Sequence, residues 1–348
     1  MRKRTHDVDS SRAGEPVKAK RRKVTLSSES LVQFSFTREA PSLPMVVSPA
    51  VDAVDIAGWV GAHRELLESK LTTHGGILFR NFPIRSTEAF ERLIAAAGDE
   101  ELLEYRYAST PRQRVSGRIY TSTEYPADQS IPLHNEMSYQ RTWPLKAWFY
   151  CARPADDGGE TPLADSRNVF QRIPPETRER FARSGVQYVR NYGSGMDLPW
   201  QKVFQTDDRK RVEAFCRDAG IQFEWRGSDR LRTIQVCQGV ATHPRTGEPV
   251  WFNQAHLFHV SSLEPELRAI LLAELDEREL PRNAFYGDGL PIENTALEEI
   301  RDAYRCEEVR FPWREGDVLL LDNMLIAHGR KPFTGPRSVL VALSALHE

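Results

Sequence analysis

Long apolar runs, paired cysteines, nucleotide-binding glycine loops and internal repeats are all missing from this 348-residue chain. Its longest apolar stretches, such as Val318 to Leu321, fall far short of the roughly 20 residues that a membrane-spanning helix needs. The N-terminus has no apolar run of the kind that directs secretion. A cytoplasmic protein with no membrane partner is therefore expected. The four cysteines, Cys151, Cys216, Cys237 and Cys306, form no CxxC pair, which argues against a disulfide framework and against a structural zinc site. Neither a GxGxxG nor a Walker-type loop occurs, so no nucleotide fold is expected. The net charge of -2 supplies no general pull toward polyanions, and nucleic acid is not expected as a partner.

What the chain does have is an ordinary globular composition, 40% apolar and 28% charged, enough for a substantial core. One region departs from it. Met1 to Lys23 carries nine Lys or Arg against three acids and too few apolar residues to pack, so residues 1–28 are expected to be a disordered basic tail. A nuclear-import or nucleic-acid-binding arm is the functional alternative. Residues 29–348 show no linker-like composition and read as one domain, with 185–250 expected as an insertion partly covering the site.

Helical periodicity marks Ile56 to Leu71, Ser86 to Ala97, Pro175 to Ser184, Thr206 to Ala219, Pro265 to Leu275 and Glu293 to Tyr304. Strand patterns mark Ile77 to Arg80, Lys146 to Arg153, Val186 to Tyr192, Ile221 to Arg226, Thr233 to Val240, Val250 to Asn253, Val318 to Asp322 and Ser338 to Ser344. So many short strands, separated by helices and long excursions, fit a mainly β fold with peripheral helices, an antiparallel double-sheet barrel rather than an alternating βαβ sheet.

A metal that binds both a cosubstrate and dioxygen needs two neutral imidazoles and one carboxylate on one face, leaving positions open. The trace of such a site is HxD or HxE plus a distant His, and this chain has two HxE pairs. His63 and Glu65 lie in the helical stretch, where residues two apart point about 200° apart and cannot share an ion. His134 and Glu136 follow Pro132 on a segment read as extended, where alternate residues share a face. The distant ligand is best sought on a late strand: His328 follows the buried run Val318 to Leu321. His243, in a turn, and His256 and His259 are the competing histidines. Arg337 lies nine residues past His328 at the start of the next strand, where its fork would meet the far carboxylate of a chelated molecule; a surface-turn arginine is the other reading, and Arg330 is the fallback.

The stretches IPLHNEMSYQRTWP, GGETPLADSR, VWFNQAHLFH and DNMLIAHGRKPFTGPRSVLVAL, in this order over roughly Gly76 to Leu343, resemble the taurine dioxygenase superfamily and, within it, the clavaminate synthase-like and SyrP-like branch. The resemblance implies a double-stranded β-helix, or jelly roll, of cupin-like form, and the use of iron(II), 2-oxoglutarate and O2. It implies His134, Glu136 and His328 as metal ligands, Arg337 as the partner of the distal 2-oxoglutarate carboxylate, and Thr161 as an assisting hydroxyl. HxE in place of HxD argues against taurine as substrate, and the presence of Glu136 argues against halogenation. Substrate is expected over the metal against Tyr120, Ser122, Thr123, Ser138, Tyr139 and Asn253, with Arg112 and Arg114 as further polar groups before that strand. The activity implied is hydroxylation of an unactivated C–H bond of an amino acid, free or tethered to a carrier protein, in specialised metabolism. Catabolic attack on a sulfonate or aryloxy acid, a non-catalytic metal-binding barrel and a zinc hydrolase are the alternatives.

Overall fold

The computed structural model describes residues 28–37, 42–98, 101–104, 107, 113–122, 125–193, 195–227 and 229–347. The basic N-terminal run, Arg112 and Thr123 lie outside the described residues.

The run Val318–Asp322 is apolar at every position but its last because both of its faces are covered. Val318 and Leu320 pack with the helices Thr87–Ala97 and Ile56–Ala62, whereas Leu319 and Leu321 point the other way into the barrel. The neighbouring strand Trp143–Arg153 alternates in the same manner, with Trp148 and Tyr150 outward and Ala147, Phe149 and Cys151 inward. Strand Ser338–His347 adds Val339, Val341 and Leu343 to the interior. A period of two thus divides the apolar residues between two cores. Each of these fully buried leucines contributes on the order of 2–5 kcal/mol relative to alanine.

These strands belong to an eight-stranded sheet ordered Val32–Phe36, Met45–Pro49, Gly76–Phe79, Val318–Asp322, Trp143–Arg153, Ser338–His347, Ile119–Thr121 and Arg114–Ser116, antiparallel except for the second pair. A smaller sheet completes the barrel, with Ile326–Arg330 between Ile131–His134 and Leu163–Asp165. This is the expected double-stranded β-helix with peripheral helices. The chain passes from the large sheet to the small one at 322–325, where the Asp322 carboxylate accepts the Met324 and Leu325 amides at 3.0 and 3.1 Å.

One expected helix needs correction. The helix over Ile56 to Leu71 is two helices, Ile56–Ala62 and Arg64–His74, broken at His63. The His63 ring bonds to the Trp59 carbonyl at 2.8 Å and stacks on the Trp59 ring, while its amide bonds to Val60 instead. The side chain has taken the carbonyl that a continuous helix would need. The segment 185–250, expected as an insertion, shares a sheet with a strand further along the chain. Its strands Val186–Tyr192, Arg230–Cys237 and Gln222–Arg226 form a four-stranded sheet only with Arg282–Tyr286, which pairs along Val186–Tyr192.

Candidate metal and dicarboxylate site

His134 ends its strand and faces His328 directly across the small sheet, as antiparallel register partners with ring centroids 4.8 Å apart. Gly329 makes this approach possible: a Cβ there would lie 2.5 Å from the Ile131 carbonyl oxygen. Glu136 was expected on extended chain, but it opens a turn just beyond the strand, and Met137 there adopts a φ of 58°. The turn swings the carboxylate back toward the histidines, so that one donor atom from each of His134, Glu136 and His328 falls within 4.8 Å of the others. Glu136 Oε2 stands 3.6 Å from His328 Nε2, too far for a hydrogen bond and suited to two ligands of one ion. His134 Nδ1 lies 2.9 Å from the Pro132 carbonyl, which orients the ring with Nε2 toward the site. Two imidazoles and one carboxylate, nearly enclosed, suit a divalent transition ion with open coordination positions.

The turn is held from behind. Asn323 Oδ1 accepts the Glu136 amide at 2.7 Å, and Asn323 Nδ2 donates to the carbonyls of Glu136 and Pro144 at 2.9 and 2.8 Å. Asn135 donates to the Asn323 carbonyl at 2.7 Å, and Gln254 donates to the Asn135 carbonyl at 2.8 Å. Sequence reasoning assigned none of these amides a role; their only signal was their place inside the quoted blocks, next to the ligands.

A cavity beside the triad is lined by His134, His328, Thr161, Arg337, Phe149 and Ser122 among others. Arg337 folds over Gly159, where a Cβ would sit 3.0 Å from its Cδ and Nε, and its Nε donates to the Gly159 carbonyl at 3.0 Å. That is the physical content of the GGET block: the second glycine makes room for the arginine, and the threonine reaches the same cavity. Among the described residues Arg337 forms no ion pair. Burial and the nearby Arg330 pull its pKa down to about 10, which leaves it protonated at neutral pH. Arg330 is spent elsewhere, donating to the carbonyls of Tyr125, Pro126 and Gln129 at 2.9, 2.5 and 2.8 Å. Thr161 accepts from Trp313 Nε1 at 3.0 Å, a partner that sequence reasoning missed.

Of the expected substrate contacts, Ser122 is on the cavity wall and 3.5 Å from Arg337 Nη1. Tyr120 is buried in the barrel interior beside it. The others serve the scaffold: Ser138 donates to the Asn135 carbonyl, Tyr139 to the Tyr107 carbonyl, and Asn253 bridges Gly239 and the Ala255 amide. Arg114 is exposed and 3.8 Å from Glu104. The segment expected as a partial cover meets the ligand turn from outside, Gln238 donating to the Ser138 carbonyl at 2.7 Å, and none of its described residues lines the cavity.

The competing histidines are occupied. His243 Nδ1 accepts the Thr246 amide, so its Nε2–H donates to Asp322 at 3.0 Å. His256 bonds to the Leu133 carbonyl at 3.0 Å, and burial depresses its pKa to about 3. His259 accepts the Ser261 amide, and burial lowers it to about 4. His63 and Glu65 gather no third ligand among the described residues.

Comparison with known proteins gives the family and the fold. The family model described as taurine catabolism dioxygenase TauD, TfdA family matches residues 40–343. The chain is 41% identical over 304 residues to the dapdiamide synthesis protein DdaC of Enterobacter agglomerans, covering 87% of this chain and 91% of that one. It is 32% identical over 324 residues to a clavaminate synthase-like protein of Arabidopsis thaliana, covering 88% and 94%. Among solved structures, PvcB, described as an Fe, alpha-ketoglutarate dependent oxygenase from an isonitrile synthetic pathway, shares the fold at a TM-score of 0.52 and 17% identity over 92% of this chain and 93% of that one. AAD-2 in complex with Mn(II) and N-oxalylglycine does so at 0.51 and 14%, covering 91% and 98%.

Proposed function

We propose, from the premise that this chain belongs to the taurine catabolism dioxygenase TauD, TfdA family, that it hydroxylates an unactivated C–H bond of an amino acid, free or tethered to a carrier protein, in the cytoplasm as part of specialised metabolism. As a family member it is a non-haem Fe(II)/2-oxoglutarate-dependent dioxygenase. The observation that carries the residue assignment is that the His134, Glu136 and His328 donors lie within 4.8 Å of one another and that both histidines line one cavity with Arg337 and Thr161. In this reading the three ligands hold iron(II), Arg337 takes the far carboxylate of 2-oxoglutarate through its fork, and Thr161 is fixed by Trp313 to assist it. When bound, metal and cosubstrate together activate O2 and release succinate and CO2. Phe149, Val339 and Val341 keep the cavity dry, and the turn at Glu136 keeps the carboxylate on the imidazole side. The amino-acid substrate is supported by the similarity to the dapdiamide synthesis and clavaminate synthase-like proteins, and HxE in place of HxD speaks against taurine.

The test is anaerobic addition of iron(II) and 2-oxoglutarate to the full chain, followed by admission of O2 and measurement of succinate release across free and carrier-bound amino acids. A visible charge-transfer band and substrate-dependent succinate with a mass gain of one oxygen are expected. A folded protein without the band overturns the metal and cosubstrate assignment; succinate stimulated only by sulfonates or aryloxy acids overturns the substrate class.

A further inference from the structure

The block VWFNQAHLFH, residues 250–259, supplies no metal ligand, and none of its residues lines the cavity. It begins inside a hairpin, Val240–Thr242 against Pro249–Trp251, that forms a two-stranded sheet separate from both barrel sheets. Asn253 ties the ends of this unit together, donating to the Gly239 carbonyl at 2.6 Å and accepting the Ala255 amide at 3.0 Å. What the unit reaches is the backbone around the ligands. The strand Ile131–His134 is an edge: Ile326–Arg330 pairs along it on one side, and no other described strand pairs on the other. His256 Nε2 donates to the Leu133 carbonyl at 3.0 Å, and Gln254 Nε2 to the Asn135 carbonyl at 2.8 Å. These are the carbonyls immediately before and after His134. Gln238 adds the Ser138 carbonyl at 2.7 Å, just past the turn that carries Glu136. His243, buried in the hairpin turn, accepts the Thr246 amide on Nδ1 and donates from Nε2 to Asp322 Oδ2 at 3.0 Å. The other Asp322 oxygen holds the 322–325 turn, from which Asn323 grips Glu136. An edge carbonyl without a strand beside it needs some donor. Here the donors of a single tied unit reach both ligand segments at once.

We propose that segment 238–256 is a positioning clamp for the metal site, in which Gln254, His256 and His243 are positioning residues that fix His134 and Glu136 relative to the Asn323 turn. The inference rests on the metal site proposed above. Gln254 and His256 hold the backbone on both sides of His134, and Asn323 holds it at Glu136, so the two ligands keep their separation before an ion arrives. Metal binding then does not have to order the segment, and affinity is higher for it.

The test uses the full chain and two readouts, Mn(II) affinity and amide hydrogen exchange across residues 133–138 in the metal-free protein. Gln254→Met and His256→Leu each remove one donor; each should weaken Mn(II) roughly tenfold and speed that exchange. His243→Leu should act in the same direction through the Asp322 turn. His256→Gln and His243→Gln, whose amides can stand in for the Nε2 donor, should restore both readouts toward the parent. Val212→Ala, in the helix Arg209–Asp218 and away from the site, should lower the Tm without moving either readout. Should Gln254→Met not fold, Gln254→Asn, one methylene short of the carbonyl, takes its place. Parent-like Mn(II) affinity and exchange in the Gln254 and His256→Leu variants overturn the proposal. So do changes that Val212→Ala reproduces at an equal loss of Tm, since the segment then contributes stability alone. If the parent binds no Mn(II), the metal reading fails, and the exchange comparison still decides whether the clamp holds 133–138.

Discussion

Asn323 grips the backbone of Glu136 on both sides, accepting its amide at 2.7 Å and donating to its carbonyl at 2.9 Å across 187 residues of sequence. Both residues are buried, and Asn323 directly follows the strand Val318–Asp322 in the turn that leads to His328. One side chain therefore couples the position of the carboxylate ligand to that of the distal histidine. Replacement by alanine strands the Glu136 amide and two carbonyls, which costs about 2–4 kcal/mol of stability. Asn323→Ala should also weaken metal binding by roughly 10–100-fold, as expected for loss of a group that orients a ligand. Thermal denaturation and Mn(II) titration check the two effects; unchanged metal affinity would show that the grip does not position the carboxylate.

Glu136→Ala and His328→Ala remove donors from the triad and should each abolish iron binding and succinate formation. Glu136→Asp shortens the reach by one methylene and should retain the fold with much weaker metal. Equilibrium dialysis of Fe(II) under anaerobic conditions reads all three, and wild-type turnover in either alanine variant would show that the ligands lie elsewhere.

The two arginines should separate cleanly. Arg337→Gln removes the charged fork and should raise the KM for 2-oxoglutarate roughly 10–100-fold while the metal still binds. Arg330→Gln should leave that KM nearly intact and lower stability, because the three carbonyls at Tyr125, Pro126 and Gln129 lose their donor. The reverse pattern would assign the dicarboxylate to Arg330.

Acid should destabilise the protein well above the range where carboxylates protonate. Burial holds His256 near pKa 3 and His259 near 4, below the ordinary 6.5, so both are neutral in the folded state. Between those values and 6.5 the unfolded chain binds more protons, so stability is complete above about pH 6.5 and falls as pH drops. The loss for the fully buried His256 approaches roughly 1.4 kcal/mol per pH unit. Urea denaturation of the metal-free protein at pH 7.0 and 5.0 should show a lower midpoint at pH 5.0, and His256→Gln should flatten the difference. A midpoint independent of pH over this interval would contradict it.

How much of this was legible in the sequence depends on distance along the chain. Pattern within a few residues placed Val186–Tyr192, Pro175–Ser184 and Val318–Asp322 at the observed boundaries, since period and punctuation are local properties. The same locality misled at His63, where one ring bond to Trp59 ended a helix that periodicity continued, and at Glu136, where a turn delivered the carboxylate that an extended strand was expected to supply. The candidate ligands could be proposed from sequence because the chemistry demands imidazole and carboxylate, and few residues in the chain meet that demand in order.

What only the tertiary structure decided is which groups meet. Arg337 and Arg330 lie on the same short stretch, and their roles diverge because one packs over Gly159 into the cavity and the other is drawn to the carbonyls of 125–129. Trp313 finds Thr161 across 152 residues, and Asn323 finds Glu136 across 187. The four-stranded sheet takes its last strand from 282–286. A side chain's partner is set by the packing of both sheet faces at once, which no local pattern encodes, whereas its chemical capacity is written in its own residue type.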